Sequence, residues 1–422
     1  MAFRVGEESI EMRRTSLWVW FVPGMLALAC SANDGAGQRD PFTGGGGSAA
    51  QTGGGGTAGL NLSGNGGAAA GGGVLNTTPD CSAQAAGADL DLDGFTPGQG
   101  DCNDCTAQMN PGAFDYPGNG VDEDCNGAPD DEPVSCDQTV FDIGYGDPMV
   151  AAEVIGLCRR QSGASWGVVS AKYVKADGSA GMNDLSHGLL SGFGPNVQPR
   201  SGLTMLVLSS GTARRPGDSG YSPPEALGLF DMGTTGFAPG GYPKDSPSCG
   251  GVQTANDKVT NDPAALELVI RAPTNANQFE FDFNFYTYEY PGYVCTQYND
   301  FFVALVDPSP PSALDGNISF DSEGNPVSVN NGLLQVCSPG TFGSKTFTCP
   351  LGTAQLQGTG FEPSAATGWL RTTAPIPGGQ QIRLRFAIWD MGDHALNSTV
   401  LVDNFTWSIG QGAPPKTAPV PE

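Results

Sequence analysis

The sequence predicts an all-β protein: a jelly-roll-like β-sandwich preceded by a small disulfide-tied acidic metal-binding motif and a flexible Gly-rich linker. Two alternating runs carry that prediction. Phe279, Phe281, Phe283 and Phe285 alternate with Glu280, Asp282 and Asn284, and Ile382, Leu384, Phe386 and Ile388 alternate with Arg383, Arg385 and Ala387. A period of two is the signature of a strand with one buried and one wet face. Further strands are expected at 204–208, 266–271, 301–306, 368–372 and 399–407, separated by Gly and Pro clusters. No stretch keeps a helical period over three turns, and 151–160 is the best short helix. Many strands with turn-rich connections read as a sandwich or jelly roll.

At the N-terminus, Met12-Arg13-Arg14 supplies a positive segment, 17–28 an apolar one, and Leu26-Ala27-Leu28-Ala29-Cys30 closes it with small residues before a cysteine. About a dozen apolar residues fall short of the roughly 20 that span a bilayer, so 1–29 reads as a signal peptide. Acidic Glu7, Glu8 and Glu11 fit such a segment badly and favour a start at Met12. The closing pentapeptide resembles a lipobox, which implies lipidation of Cys30, and two acyl chains give stable anchoring to a membrane. Ser31, where retained lipoproteins carry Asp, implies by the same resemblance the outer membrane or cell surface of a Gram-negative bacterium. Residues 30–80 are then the lipid-bearing cysteine and a linker so rich in Gly and Ala that it buries almost nothing. Its random-coil span is roughly 40 Å.

Residues 81–135 form the acidic motif. From Asp80 to Glu132 there are thirteen Asp or Glu and no Lys or Arg. Asp89, Asp91 and Asp93 stand at alternate positions before Gly94, the way calcium loops begin. Position 12 of such a loop is Gly100, which excludes an EF-hand. Asp101, Asn103 and Asp104 follow, and Asp122 and Asp124 lie in a second run. The span 89–127 resembles the metal-binding motif of MopE-type proteins through Gly-Asp-Cys-Asn-Asp and Gly-Asn-Gly-Val-Asp-Glu-Asp-Cys-Asn-Gly. That family carries a copper label, but carboxylate and amide oxygens suit calcium, and this segment has no His. The expected ion is calcium.

Eleven cysteines less Cys30 leave ten in an exported chain, so disulfides are expected. Spacing favours Cys337 with Cys349, Cys249 with Cys295 and Cys136 with Cys158. Cys102 with Cys125 would tie the two acidic runs, with Cys81 and Cys105 as a second tie. A net charge of -25 excludes a nucleic-acid partner, which needs clustered Lys and Arg.

Residues 136–410 form the large sandwich, and 411–422 read as a Pro-rich tail. From about Ala152 to Trp407 the chain resembles the choice-of-anchor L family of bacterial surface proteins. The resemblance rests on 166–173, Ser209-Ser210-Gly211-Thr212-Ala213, Glu289-Tyr290-Pro291, 299–305 and 398–405. It implies an exported, anchored domain and no particular ligand.

Two catalytic readings are weak. Gly217-Asp218-Ser219-Gly220 echoes a serine-protease motif, yet reads better as a turn, with only His187 and His394 as bases. Glu280 and Asp282 lie at the spacing of a jelly-roll glycosidase, but Asn284 stands where a second glutamate is expected. Glu280, Asp282, Asn284, Tyr286 and Tyr288 read instead as a wet strand face able to stack on a sugar. Glu289, Asp300 and Asp403, near strand ends, form an expected structural cation site. The expected function is calcium-dependent surface display or adhesion to glycan, matrix or cell-surface ligands without catalysis. A carbohydrate hydrolase and a passive envelope protein are the alternatives.

Overall fold

The computed structural model describes residues 87–132, 135–225, 232–251 and 258–421. Cys30, the signal segment and the linker lie outside them. In chain order the regular elements are α1 (Pro148–Val154), β1 (Gly167–Val174), β2 (His187–Leu190), β3 (Met205–Ser209), β4 (Thr235–Phe237), β5 (Val259–Arg271), β6 (Gln278–Thr287) and β7 (Phe301–Asp307). They continue as β8 (Gly340–Phe342), β9 (Lys345–Phe347), β10 (Ala365–Ala366), β11 (Leu370–Pro375), β12 (Gln381–Asp390), β13 (Ser398–Ser408) and β14 (Lys416–Pro419). One sheet has the order β1-β5-β12-β7, with β4 on the start of β5. The other runs β14-β11-β6-β13-β3-β2, with β10 on the end of β6. Every named pairing is antiparallel.

The alternating residues of the two runs face each other across the sandwich. Phe279, Phe281, Phe283 and Phe285 of β6 share one core with Ile382, Leu384, Phe386 and Ile388 of β12. Phe281 meets Phe386 edge-on with ring centroids 4.8 Å apart, and Phe283 lies 4.9 Å from Phe302. Edge-to-face rings of this kind add to the area they bury.

The reverse faces are not wet. Long connections fold back over both sheets and build two further cores. Over β6 and β13, Phe193, Val197, Val336, Leu356 and Phe361 cover Tyr286 and Leu401. Over β7 and β12, Tyr242, Ala238 and Met391 cover Phe301, Val303 and Trp389. The expected exposure of Asp282, Asn284 and Tyr286 is therefore corrected: all three are fully buried. On the reverse of β12, Arg385 is buried as well and is paired with Glu267, its register partner on β5.

Two boundaries also move. The 411–422 segment is not a free tail, because β14 adds an edge strand to β11, with Thr417 Oγ1 2.8 Å from Thr372 Oγ1. The short helix starts and ends earlier than 151–160. Asp147 caps it by accepting from Met149 N at 2.9 Å, and Pro148 opens it. It stops at Gly156, whose positive φ and nearness to β13 admit no side chain: a Cβ there would lie 2.6 Å from Phe405 O.

Four expected disulfides are present, Cys102–Cys125, Cys136–Cys158, Cys249–Cys295 and Cys337–Cys349. Cys105 is disulfide-bonded too, while Cys81 lies outside the described residues. Among the described residues no helix is long and apolar enough to cross a membrane.

Because Phe283 sits where both sheets meet, Phe283→Ala should cost about 3–5 kcal/mol of folding stability. Denaturant titration measures it, and a loss below about 1 kcal/mol would mean that the inter-sheet core is not continuous at this ring.

Candidate metal centre

The acidic segment is docked on the sandwich rather than strung beside it. Asn275, after β5, accepts from Phe114 N at 2.8 Å and donates to Phe114 O at 2.9 Å, and Trp166 Nε1 donates to Ala113 O at 2.8 Å. Thr274 Oγ1 donates to Asn110 Oδ1 at 2.7 Å. Those contacts fix the frame on which the acidic loop closes.

Within the loop each aspartate uses one oxygen to hold the backbone. Asp91 Oδ1 accepts from Asp93 N, Asp93 Oδ1 from Phe95 N at 2.8 Å, Asp101 Oδ1 from Asn103 N at 2.8 Å, and Asp104 Oδ1 from Leu90 N at 2.8 Å. Asp89 gives both its oxygens, to Leu92 N and Gly94 N. The turn this requires puts Leu92 and Gly94 at positive φ, which glycine adopts without strain. The second oxygens of Asp91, Asp93, Asp101 and Asp104 are buried and have no hydrogen-bond partner. Asp101 and Asp104 are only 4% and 0% exposed.

The carboxylates cluster. Oxygens of Asp89, Asp91 and Asp104 lie within 4.8 Å of one another, and so do those of Asp91, Asp93 and Asp101. Like charges at that range, taken out of water, disfavour ionisation. Burial, reinforced by the neighbouring aspartates, pushes Asp93 up to about 6 and raises Asp91 and Asp101. Five carboxylates with four inward oxygens form a donor set for a hard cation such as calcium. Asn103 Nδ2 donates to Met109 Sδ at 3.5 Å, which leaves its amide oxygen uncommitted to that bond.

The second acidic run is brought alongside by Cys102–Cys125 but is satisfied internally. Asp122 accepts from Asn126 N and Gly127 N, and Asp124 accepts from Arg159, which also reaches Glu132 at 3.3 Å. Asp130 collects the N–H groups of Gly118, Asn119 and Gly120. Asp122 and Asp124 thus serve as loop-closing acceptors in this structure. Sequence reasoning missed Arg159, whose position opposite them is set by a contact 35 residues away.

The expected ligand face is closed by charge as well as by cover. Arg371 donates to Asp282 Oδ1 at 2.7 Å and Oδ2 at 3.0 Å and to Glu280 at 2.7 Å. Arg200 and Asn404 add contacts to Asp282 at 3.3 and 3.0 Å. Asn284 and Tyr286 bond each other at 3.3 Å, and Tyr288, half-buried, lies over Phe361. Glu280 and Asp282 thus share one guanidinium rather than flanking a cleft. Asp403 is likewise a turn acceptor, taking Arg200 N and Ser201 N, and stands apart from Glu289 and Asp300. At 217–220, Asp218 is tied to Arg215 in a turn, as expected of that tetrapeptide.

Residues 206–406 match the sequence model of the Choice-of-anchor L domain, so the match begins at β3 and ends in β13. No curated protein and no solved structure matches the chain.

Two outcomes follow from the charges. Arg371→Ala leaves Asp282 buried with only Arg200 and Asn404, and should destabilise the fold by the low end of roughly 3–5 kcal/mol in a denaturant titration. For the metal-free loop, a carboxyl whose pKa is raised on folding binds more protons when folded, so its contribution falls as pH rises. Asp93→Asn should therefore gain stability relative to the parent chain between about pH 4 and 6 in chelator. A difference that stays flat across that window would show that Asp93 is not held in a repulsive cluster.

Proposed function

We propose, starting from the match of residues 206–406 to the Choice-of-anchor L domain and the surface association it suggests, that this is a lipid-tethered, calcium-binding display protein. In this reading Cys30 carries the anchor in the outer membrane of a Gram-negative bacterium and 30–80 supplies reach. The acidic loop binds calcium and stiffens the entry to the sandwich. The sandwich then presents an adhesive or ligand-binding surface to glycan, matrix or neighbouring cells, without catalysis.

One observation carries the calcium step: four buried carboxylate oxygens in one loop point inward without a donor. Leaving such groups unpaired costs free energy that a divalent ion removes. Nitrogen and sulfur donors are missing from the two ligand triads, which favours calcium over copper. The absence of catalysis is supported by the Glu280–Arg371–Asp282 ion pairs, which hold both carboxylates as acceptors of a guanidinium.

Isothermal titration of the folded chain should give saturable calcium binding that Asp91→Asn with Asp104→Asn weakens at least tenfold. Affinity should also fall as pH drops through about 6, where Asp93 takes its proton. A flat titration would remove the calcium step. Metabolic palmitate labelling that persists in Cys30→Ser would remove the lipid step separately.

A further inference from the structure

A second group of acids lies where both sheets end. There β6 finishes at Thr287 opposite Ser398 of β13, β3 finishes at Ser209 opposite Thr399, and Trp389 of β12 pairs with Phe301 of β7. The residues just beyond these pairs are Glu289, Ser210, Asp390, and Asn299 with Asp300. Ser210 joins the two sheets: its Oγ accepts from Ser398 N at 2.9 Å and donates to Asp300 Oδ2 at 3.0 Å. Glu289 Oε2 accepts from Asp300 N at 3.1 Å. Asp393, half-buried, closes the end from the following turn, with its carbonyl held by Asn261.

Glu289, Asp300 and Asp390 are all buried, and burial raises all three; Asp393 adds to the rise at each, while the Asp390 and Asp300 carboxyls hydrogen-bond each other, which raises Asp390 and eases Asp300. Asp300 Oδ1 has no donor. Neither polar atom of the adjacent Asn299, 1% exposed, has a partner. Four carboxylates and an unsatisfied amide oxygen in one dry corner need either protons or a cation.

We propose that this corner is a second site for a hard divalent cation, calcium by its all-oxygen donors, held by Glu289, Asp300, Asp390 and Asp393 with the Asn299 amide oxygen. Among the described residues only the N-terminal loop brings three carboxylate oxygens within 4.8 Å of one another. Here the more accessible Asp393 would have to move in to complete the set. The ion would clamp the two sheets at the end where β3, β6, β7, β12 and β13 meet. Asp403, the third acid expected from sequence, belongs to the bulge of β13 instead, and Asp390 and Asp393 take its place.

The alternative is neutralisation by protons, since burial pushes Asp300 up to about 7 and Glu289 and Asp390 well above the usual carboxylate range. The two differ in their response to calcium. The full chain carrying Asp91→Asn and Asp104→Asn silences the N-terminal loop, so what remains reports this corner. At pH 7.4 it should retain one calcium ion in native mass spectrometry and melt several degrees higher at about 100 times Kd than in chelator. Asp390→Asn added to that chain should abolish the retained ion. Should that variant not fold, Asp393→Asn, at a more exposed position, should weaken calcium binding at least tenfold. A silenced chain that takes up no ion and melts identically with and without calcium overturns the proposal, as does an ion kept with unchanged affinity in the Asp390 or Asp393 variant. Either result leaves the N-terminal loop untouched, because that loop is read on the parent chain.

Discussion

The structure depends on how a chain with 44 acidic and 19 basic residues neutralises the carboxylates it buries. Burying an ionised carboxylate costs several kcal/mol unless hydrogen bonds or an opposite charge replace its water. There are too few guanidinium groups for all of them. Arg371 and Arg200 go to Asp282, Arg385 goes to Glu267, and Arg159 goes to Asp124 and Glu132. Elsewhere the backbone takes over. Asp137 accepts from Leu203 N and Thr204 N, and Asp321 accepts from Glu323 N, Asn325 N and Gly332 N. Such fully bonded carboxylates fix loops in place. What remains are two corners where these devices leave buried carboxylate oxygens unpaired, and those are the places where an ion is proposed.

The second constraint is that the central strands of both sheets are buried on both faces. A sandwich usually offers its outer faces to solvent. Here loops 190–197 and 334–361 cap one sheet, and the chain around Tyr242 caps the other. No open sheet face is left at β6 on which a ligand could lie. Cys337–Cys349 and Cys249–Cys295 lie in or beside these connections, where cross-links limit the freedom of long loops.

This double cover also explains what the sequence did and did not reveal. The Phe279–Phe285 and Ile382–Ile388 alternations located two central strands to within a few residues, because their apolar side faces a continuous inter-sheet core. The same alternation is silent about the other side. Asp282 and Asn284 look like solvent-facing residues in sequence, since a polar side chain buried against Arg371 or Thr367 has the same letter as a wet one. The Asp89–Asp93 loop was legible because its ligands are local, spaced by two residues around a glycine. Asp390 was not legible as a neighbour of Asp300, since they are brought together only by the β7–β12 register, about 90 residues apart in the chain. Arg159 was not legible beside Asp124 for a related reason: it lies 35 residues further along the chain.

Charge, cysteine use and location are linked by this chemistry. In a reducing, calcium-poor compartment the disulfides stay open and the carboxylate clusters repel, so the acidic loop gains little from closing. Outside, thiols oxidise, and calcium modules with dissociation constants of about 10⁻⁴–10⁻³ M become occupied. Cys102–Cys125 and the Asp89–Asp104 loop share the same short segment, so closing either shortens the loop that the other must order. The bond lowers the entropy of bringing Asp101 and Asp104 to the loop, and an ion bound there would hold Cys102 near Cys125. Each therefore strengthens the other in proportion to the freedom that it removes. With the proposed ion in that loop, a chain of this composition is suited to fold where thiols oxidise and calcium is plentiful.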